Sequence, residues 1–190
     1  MNGDSYPDMY VSNDFYERDY LYINQKDGTF KDDIETWMQH LSLSSMGADM
    51  ADINNDGYPE VFVTEMLPND EYRLKTVTNF DSYTNFLAKL QKGFHYQYMH
   101  NTLQLNNQDQ TFSEIAFYSG VAASDWSWGA LMFDADNDGY RDIYVSNGIY
   151  QDVIDQDFIS FFANEANRMK ATGTKKISKI YSLKCLLIQL

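Results

Sequence analysis

Short segments in which apolar and polar residues alternate recur through the chain: Met9-Tyr-Val-Ser, Leu21-Tyr-Ile-Asn24, Val61-Phe-Val-Thr64, Leu103-Gln-Leu-Asn106 and Ile143-Tyr-Val-Ser146. A period of two places successive side chains on opposite faces of an extended backbone, so these segments predict β-strands. Segments rich in Asp, Asn and Gly separate them, including an Asp27-Gly hairpin signal. Two stretches follow a helical period instead. Tyr83, Phe86, Leu87 and Leu90 fall at i, i+3, i+4 and i+7 behind the candidate caps Asp81 and Ser82, and Lys89 and Lys92 precede Gly93. A second helix is expected over about residues 152–170, with Ile154, Phe158, Phe161 or Phe162, Ala166 and Met169 on one face. Its acids Asp152, Asp155 and Asp157 come early and its bases Arg168 and Lys170 late, the order the helix dipole favours.

The strand pattern repeats. Residues 45–64 shifted by 82 fall on residues 127–146 with ten identities: Ser45, Gly47, Ala48, Met50, Asp52, Asn55, Asp56, Gly57, Tyr58 and Val63. Composition alone would give about one or two. The same shift lays residues 21–30 on residues 103–112. From Asp4 to Asp56 the step is 52 and from Asp56 to Asp138 it is 82, so about 30 residues are inserted between Thr64 and Leu103. Each unit reads as strand, loop, strand, optional insert, strand, turn, strand. Such a four-stranded unit has two faces to cover, and repeats of this kind stack radially into a propeller. The expectation is an all-β fold with helical insertions, a partial β-propeller of about two to three four-stranded blades. Residues 1–165 carry the blades, with a helical insert at about 66–100, and residues 171–190 form an atypical basic tail. A tryptophan-aspartate repeat propeller would have a shorter period of about 40 to 45 residues.

The repeated loops carry the chemistry. Asp52-Ile-Asn-Asn-Asp-Gly-Tyr-Pro-Glu60 and Asp134-Ala-Asp-Asn-Asp-Gly-Tyr-Arg-Asp142 each lead into a strand. A calcium ion takes six to eight oxygen ligands at about 2.3–2.6 Å, which requires the chain to curl around it. Side chains at positions 1, 3 and 5 (Asp52, Asn54, Asp56; Asp134, Asp136, Asp138) supply oxygens, and Gly57 or Gly139 at position 6 allows the turn. The position-7 carbonyl (Tyr58, Tyr140) and the position-9 carboxylate (Glu60, Asp142) would close the cage. A helix-loop-helix calcium site needs a carboxylate at position 12, where this chain has Val63 and Val145. A third copy opens the chain, with Asn2, Asp4, Tyr6 and Asp8 at positions 3, 5, 7 and 9 and position 1 falling before Met1. The chain is therefore expected to be a fragment, with any signal sequence missing.

Charge narrows the functional classes. With 28 acids against 14 Lys and Arg, the formal charge is −14, which argues against non-specific nucleic-acid binding. Part of that charge is assigned to the metal: three loop carboxylates in the second copy (Asp52, Asp56, Glu60) and four in the third. No membrane span is visible, and the single cysteine, Cys185, excludes an intrachain disulfide. After Glu165 no acid occurs, while Arg168, Lys170, Lys175, Lys176, Lys179 and Lys184 make the tail basic. Loops of this kind in extracellular modules often bind at about 10⁻⁴–10⁻³ M, so an extracellular, periplasmic or cell-surface setting is expected.

An enzyme is the main rival reading. No G-x-S-x-G or H-E-x-x-H motif occurs, and His40, His95 and His100 are scattered, read as surface or hydrogen-bonded side chains. Paired acids for glycoside chemistry stay open. Trp128 is expected to pack between blades and Trp126 to be available for a sugar ring. A third class is a structural module that calcium merely stiffens.

The phrases Gly47-Ala48, Asp52-x-Asn-x-Asp-Gly-x-x-Glu60-Val-Phe-Val63, Gly129-Ala130 and Asp134-x-Asp-x-Asp-Gly-x-x-Asp142-Ile-Tyr-Val145 resemble FG-GAP/VCBS repeat proteins, whose propeller is similar to that of integrin α subunits. Leu21-Tyr-Ile-Asn24, Asp27-Gly-Thr-Phe30, Asn101-Thr-Leu-Gln-Leu-Asn106 and Asp125-Trp-Ser-Trp-Gly129 resemble the bacterial subgroup carrying an ASPIC/UnbV segment, although that segment itself is missing. The resemblance spans roughly residues 2–165. It implies a seven-bladed, calcium-stabilised propeller serving recognition or adhesion, with a protein or carbohydrate ligand at the cell surface, and with the loop residues named above as metal ligands. Glu60 departs from the usual Asp at position 9 and is expected to reach differently. A propeller-type carbohydrate-active enzyme or glycan-binding component is the alternative.

Overall fold

The computed structural model describes residues 1–14, 17–79, 81–150 and 153–172. In chain order the elements are β1 (Met9–Val11), β2 (Tyr20–Asn24), β3 (Phe30–Asp32), α1 (Ile34–Trp37), β4 (Leu41–Ser42), β5 (Gly47–Ala51) and β6 (Glu60–Thr64). There follow α2 (Glu71–Val77), α3 (Tyr83–Gln91), β7 (Gln97–Tyr98), β8 (Thr102–Asn106), β9 (Phe112–Glu114), β10 (Ser127–Phe133), β11 (Asp142–Asn147) and α4 (Gln156–Thr172). They form antiparallel sheets ordered β1-β2-β3, β5-β6-β8-β9 and β10-β11, plus a short parallel pair of β4 with β7. The chain is thus mostly β-strand in several antiparallel sheets with few helices.

Two compact units result. The first holds Met1–Leu74 and Thr78–Ile149, including every sheet, and the second contains Lys75–Val77 and α4.

Why the central sheet is the best covered follows from β6. Its five residues are all buried, because it is flanked by β5 and β8 and packed on both faces. Alternation sends Val61 and Val63 into one apolar cluster with Leu21, Ile23, Ile34, Trp37, Met38, Leu41 and Phe112, contributed largely by the first sheet and α1. Phe62, pointing the other way, joins Leu103 of β8, Ala116 and Ala122 from the segment after β9, and Ala130 and Met132 of β10 in the third sheet. The three sheets therefore stack face to face around two apolar layers. Burying a side chain such as Phe62 completely stabilises by about 1.5–3 kcal/mol.

The second and third sheets meet closely at their first strands. A Cβ placed on Gly47 of β5 would lie 2.4 Å from Trp128 O of β10, so only glycine lets these backbones approach. Asp49 Oδ2 accepts from Met132 N at 2.6 Å across the same seam. The first sheet is tied in by buried Asp19, which accepts from Tyr10 Oη at 2.5 Å and from Ser45 Oγ at 2.7 Å.

The repeat extends to its hairpin turns. Between β2 and β3, Asp27 Oδ1 accepts from Thr29 N at 2.9 Å; between β8 and β9, Asp109 Oδ1 accepts from Thr111 N at 3.0 Å. Gly28 and Gln110 occupy the same left-handed place, at φ 89° and 70°.

Helix α3 starts one residue after Ser82, whose Oγ accepts from Asn85 N at 3.3 Å, while Asp81 pairs with Lys89 instead of capping. Its apolar stripe is only partly covered: Phe86 stacks on Tyr98, but Tyr83 and Leu87 are exposed. Helix α4 is capped by Asp155, which accepts from Phe158 N at 2.8 Å, and Phe158 and Phe162 pair at 5.7 Å between ring centroids. Phe161 is exposed. Asp152 and residues 173–190 of the basic tail lie outside the described residues, as do the side chains of Ala166 and Met169. No described helix is long and apolar enough to cross a membrane.

Candidate metal centre

Each complete loop is the hairpin between two paired strands. Ala51 faces Glu60 and Phe133 faces Asp142, so residues 52–59 and 134–141 project as matching eight-residue loops. All three copies turn at two left-handed residues: Asn55 and Gly57 at φ 61° and 89°, Asn137 and Gly139 at 61° and 91°, Gly3 and Ser5 at 73° and 67°. A Cβ at Gly57 or Gly139 would meet nothing within 4 Å, so glycine serves the backbone angle and not a space limit.

The acidic side chains shape the loops before any ion is considered. Asp52 accepts from Asp56 N at 3.0 Å and Gly57 N at 2.8 Å, and Asp134 accepts from Asp138 N at 3.1 Å and Gly139 N at 3.0 Å. Position 3 accepts from the position-5 N–H in every copy, through Asn2, Asn54 and Asp136 at 3.1, 2.9 and 3.1 Å. Position 5 then accepts from the tyrosine N–H at position 7: Asp4 from Tyr6, Asp56 from Tyr58 and Asp138 from Tyr140. These backbone bonds are the leading cause that holds Asp4 and Asp56 below the usual carboxylate range.

Position 9 closes each loop. Glu60 Oε2 accepts from Ile53 N and Asp142 Oδ2 from Ala135 N, both at 2.9 Å, and Asp8 Oδ2 meets the Met1 ammonium at 3.0 Å. Glu60 thus keeps the backbone bond that Asp142 makes, despite its extra methylene. Its Oε1 is buried without a hydrogen-bond partner, and burial pushes the carboxyl above its ordinary pKa against the opposing backbone bonds.

Oxygens of Asp134, Asp136 and Asp138 lie within 4.8 Å of one another, a group that could hold a metal ion. Among the described residues no lysine or arginine pairs with them, whereas Asp4 meets Lys26 Nζ at 3.1 Å. In the second loop Asn54 replaces one carboxylate, and its Nδ2 donates to Asp56 Oδ2 at 3.0 Å. The loops are neighbours. Asn55 Nδ2 donates to Gly139 O at 3.0 Å, and the Tyr58 ring lies 3.2 Å from where a Gly3 Cβ would stand.

Two aromatic expectations change. Trp128 exposes about half of its surface, its Nε1 donating to Gly148 O at 2.7 Å. Trp126 is the less exposed of the two, with a buried Nε1 that lacks an acceptor.

The histidines are not all scattered. His40 and His100 converge on Glu114, with their rings 5.5 Å apart. Linear spacing hides this, since the pairing of β4 with β7 and of β8 with β9 creates it.

No curated protein matches the chain. Residues 1–63, which hold the first loop, the second loop and the strands between them, carry an FG-GAP-like repeat.

Proposed function

We propose that the chain is part of a calcium-stabilised β-propeller that serves recognition or adhesion outside the cell, in the integrin-α-like manner of FG-GAP/VCBS proteins. One observation carries the reading: an oxygen-rich loop recurs, twice as a complete hairpin and once in part, with the same position-3 and position-5 hydrogen bonds each time, and in the second loop a buried carboxylate oxygen of Glu60 is unpartnered. The donors fit calcium, because they are hard oxygens in a loop with room for several ligands. Asp52, Asn54, Asp56, Glu60 and the Tyr58 carbonyl would hold one ion, and Asp134, Asp136, Asp138, Asp142 and the Tyr140 carbonyl another. Asn2, Asp4, Asp8 and the Tyr6 carbonyl form the corresponding partial set. Bound calcium would neutralise carboxylates that otherwise repel. Unit charges of one sign about 4 Å apart cost roughly 4 kcal/mol at a protein-surface dielectric and about 1 in water.

Calorimetry with Ca²⁺ on EGTA-stripped protein tests the reading, repeated on Asp56→Ala and Asp138→Ala. Each variant is expected to lose one binding event. Absence of heat at millimolar calcium, or wild-type titrations from both variants, would overturn it.

The alternative of a glycan-binding component or carbohydrate-active propeller has one observation in its favour. A cavity of about 410 Å³ is lined by Tyr83, Phe86 and Tyr98 together with Asp81, Lys89 and His95, an aromatic wall with polar groups beside it. Glycan-array binding alongside a hydrolysis assay separates the two functions.

A further inference from the structure

His40 precedes β4, His100 lies between β7 and β8, and Glu114 ends β9. The parallel pairing of Leu41 with Gln97 and Ser42 with Tyr98 brings the first two segments together. The β8–β9 ladder sets Gln104 opposite Glu114, and Gln104 Nε2 donates to His40 O at 2.9 Å. One ligand atom from each of His40, His100 and Glu114 lies within 4.8 Å of the other two, and His40 Nε2 is 3.6 Å from Glu114 Oε2. Two ligands of a tetrahedral zinc ion stand ~3.4 Å apart.

His100 and Glu114 are each oriented by a contact on the far side. His100 Nδ1 is 2.6 Å from Asn101 O, and a carbonyl oxygen only accepts, so the proton is on Nδ1 and the lone pair on Nε2. A backbone carbonyl holding the second ring nitrogen is how metal-binding imidazoles are fixed in tautomer and direction. Glu114 Oε1 accepts from Leu103 N at 3.1 Å and Ala116 N at 2.7 Å, which leaves Oε2 facing His40. A plain His40–Glu114 ion pair accounts for two of these groups. It does not account for the third, the buried His100 imidazole turned toward the pair, nor for the buried Gln104 Oε1 that lacks a partner.

We propose that His40, His100 and Glu114 form a binding site for a divalent first-row transition ion of the zinc type. Both imidazoles would bind through Nε2 and the glutamate through Oε2, with a fourth position left to water or an outside donor. Two nitrogens and one oxygen favour such an ion over calcium, which takes oxygen ligands. The site is separate from the acidic loops and shares no residue with them.

Titrating the whole chain with zinc chloride in millimolar calcium, so that the acidic loops are saturated, tests the proposal. One zinc per chain at micromolar or tighter affinity is expected, and cobalt(II) should give the intense visible absorption of a four-coordinate site. His40→Gln, at a side chain 26% exposed and therefore tolerable to the fold, should weaken zinc at least about tenfold, as should Glu114→Gln. Asp138→Ala should leave zinc binding unchanged, which keeps failure here distinct from failure of the calcium reading. No zinc heat in the parent, equal affinity in His40→Gln, or an octahedral cobalt spectrum would each overturn the proposal. The parent's cobalt spectrum and His40→Gln decide the matter even where Glu114→Gln does not fold.

Discussion

Glu65 follows β6 and is fully buried, with Oε2 unpartnered and Oε1 accepting from Met66 N at 3.1 Å. Burial, only partly opposed by that bond, pushes its pKa from 4.5 to about 8, so the carboxyl is protonated at neutral pH. Between these values the folded chain holds a proton that the unfolded chain has released. The associated stability is fully present below pH 4.5 and is lost as pH rises through about 8. Glu65→Gln keeps the shape and removes the titration. Relative to the parent it should gain on the order of 2–4 kcal/mol between pH 5 and pH 9. Urea midpoints at pH 5, 7 and 9 check this, and parallel curves for the two proteins would refute it. A second residue-level expectation concerns the acidic loops. The third has four carboxylates and the second has three with an amide at Asn54, so Asp138→Ala should remove the tighter calcium site and Asp56→Ala the weaker. Competition with a calcium chelator dye ranks them. The loop residues were legible in sequence because their chemistry is local: acid, turn and backbone N–H are all within nine positions. The Glu65 environment and the His40–His100–Glu114 convergence were not, since each depends on strands distant in sequence, and no spacing rule encodes a partner 60 or more residues away.

At the scale of elements, period-two alternation identified β2, β6, β8 and β11, and the 82-residue shift identified β5 with β10. Both signals are strong where a strand is covered on two faces, as Val61, Phe62 and Val63 show by alternating between two apolar layers. The pieces that were missed are short. Helix α1 spans only Ile34–Trp37, too few residues for a helical period, and is held by burying Ile34 and Trp37 rather than by propensity. Strands β4 and β7 have two residues each and exist through their mutual pairing. The repeat also aligned Gly47 with Gly129 but could not say why glycine is needed. The structure supplies the reason for Gly47, whose Cβ would lie 2.4 Å from Trp128 O. Gly47→Ala should therefore force β5 and β10 apart and cost about 1–3 kcal/mol, the usual range for overpacking. Gly28→Ala, where a Cβ meets nothing within 4 Å, should suffer only the left-handed backbone angle and lose about 1 kcal/mol or less. Denaturant midpoints for the pair distinguish close backbone approach from turn strain; equal losses would mean that the β5–β10 contact does not resist the added methyl.

For the whole molecule the dominant fact is charge. An excess of 14 acids over bases works against any compact state, and the seven acids at positions 1 to 9 of the two complete loops concentrate that cost at two neighbouring hairpins. The loops are joined by Asn55 to Gly139 O and by Tyr58 against Gly3, so repulsion at one is felt at the seam between sheets. Neutralisation can come from a specific ion or from general screening, and the two differ in concentration dependence. A bound ion stabilises as the logarithm of its concentration above Kd, about 2.7 kcal/mol per site at a hundredfold excess. Simple salt acts through the Debye length, about 10 Å at 0.1 M, and saturates once the loop charges are screened. The melting temperature should accordingly rise steadily as calcium goes from about 0.1 to 10 mM, bracketing extracellular-type affinities. It should rise far less with magnesium, which keeps its waters and resists a flexible oxygen cage. Sodium chloride at about 0.5 M should lift the EGTA-treated protein partway and then flatten the calcium response only slightly, because oxygens within 4.8 Å of one another exchange bulk screening poorly for direct coordination. A melting temperature indifferent to calcium but responsive to salt would mean that the acidic loops are stabilised by screening alone, and the metal-centred account of the fold would then fail at this scale whatever the geometry of the individual loops.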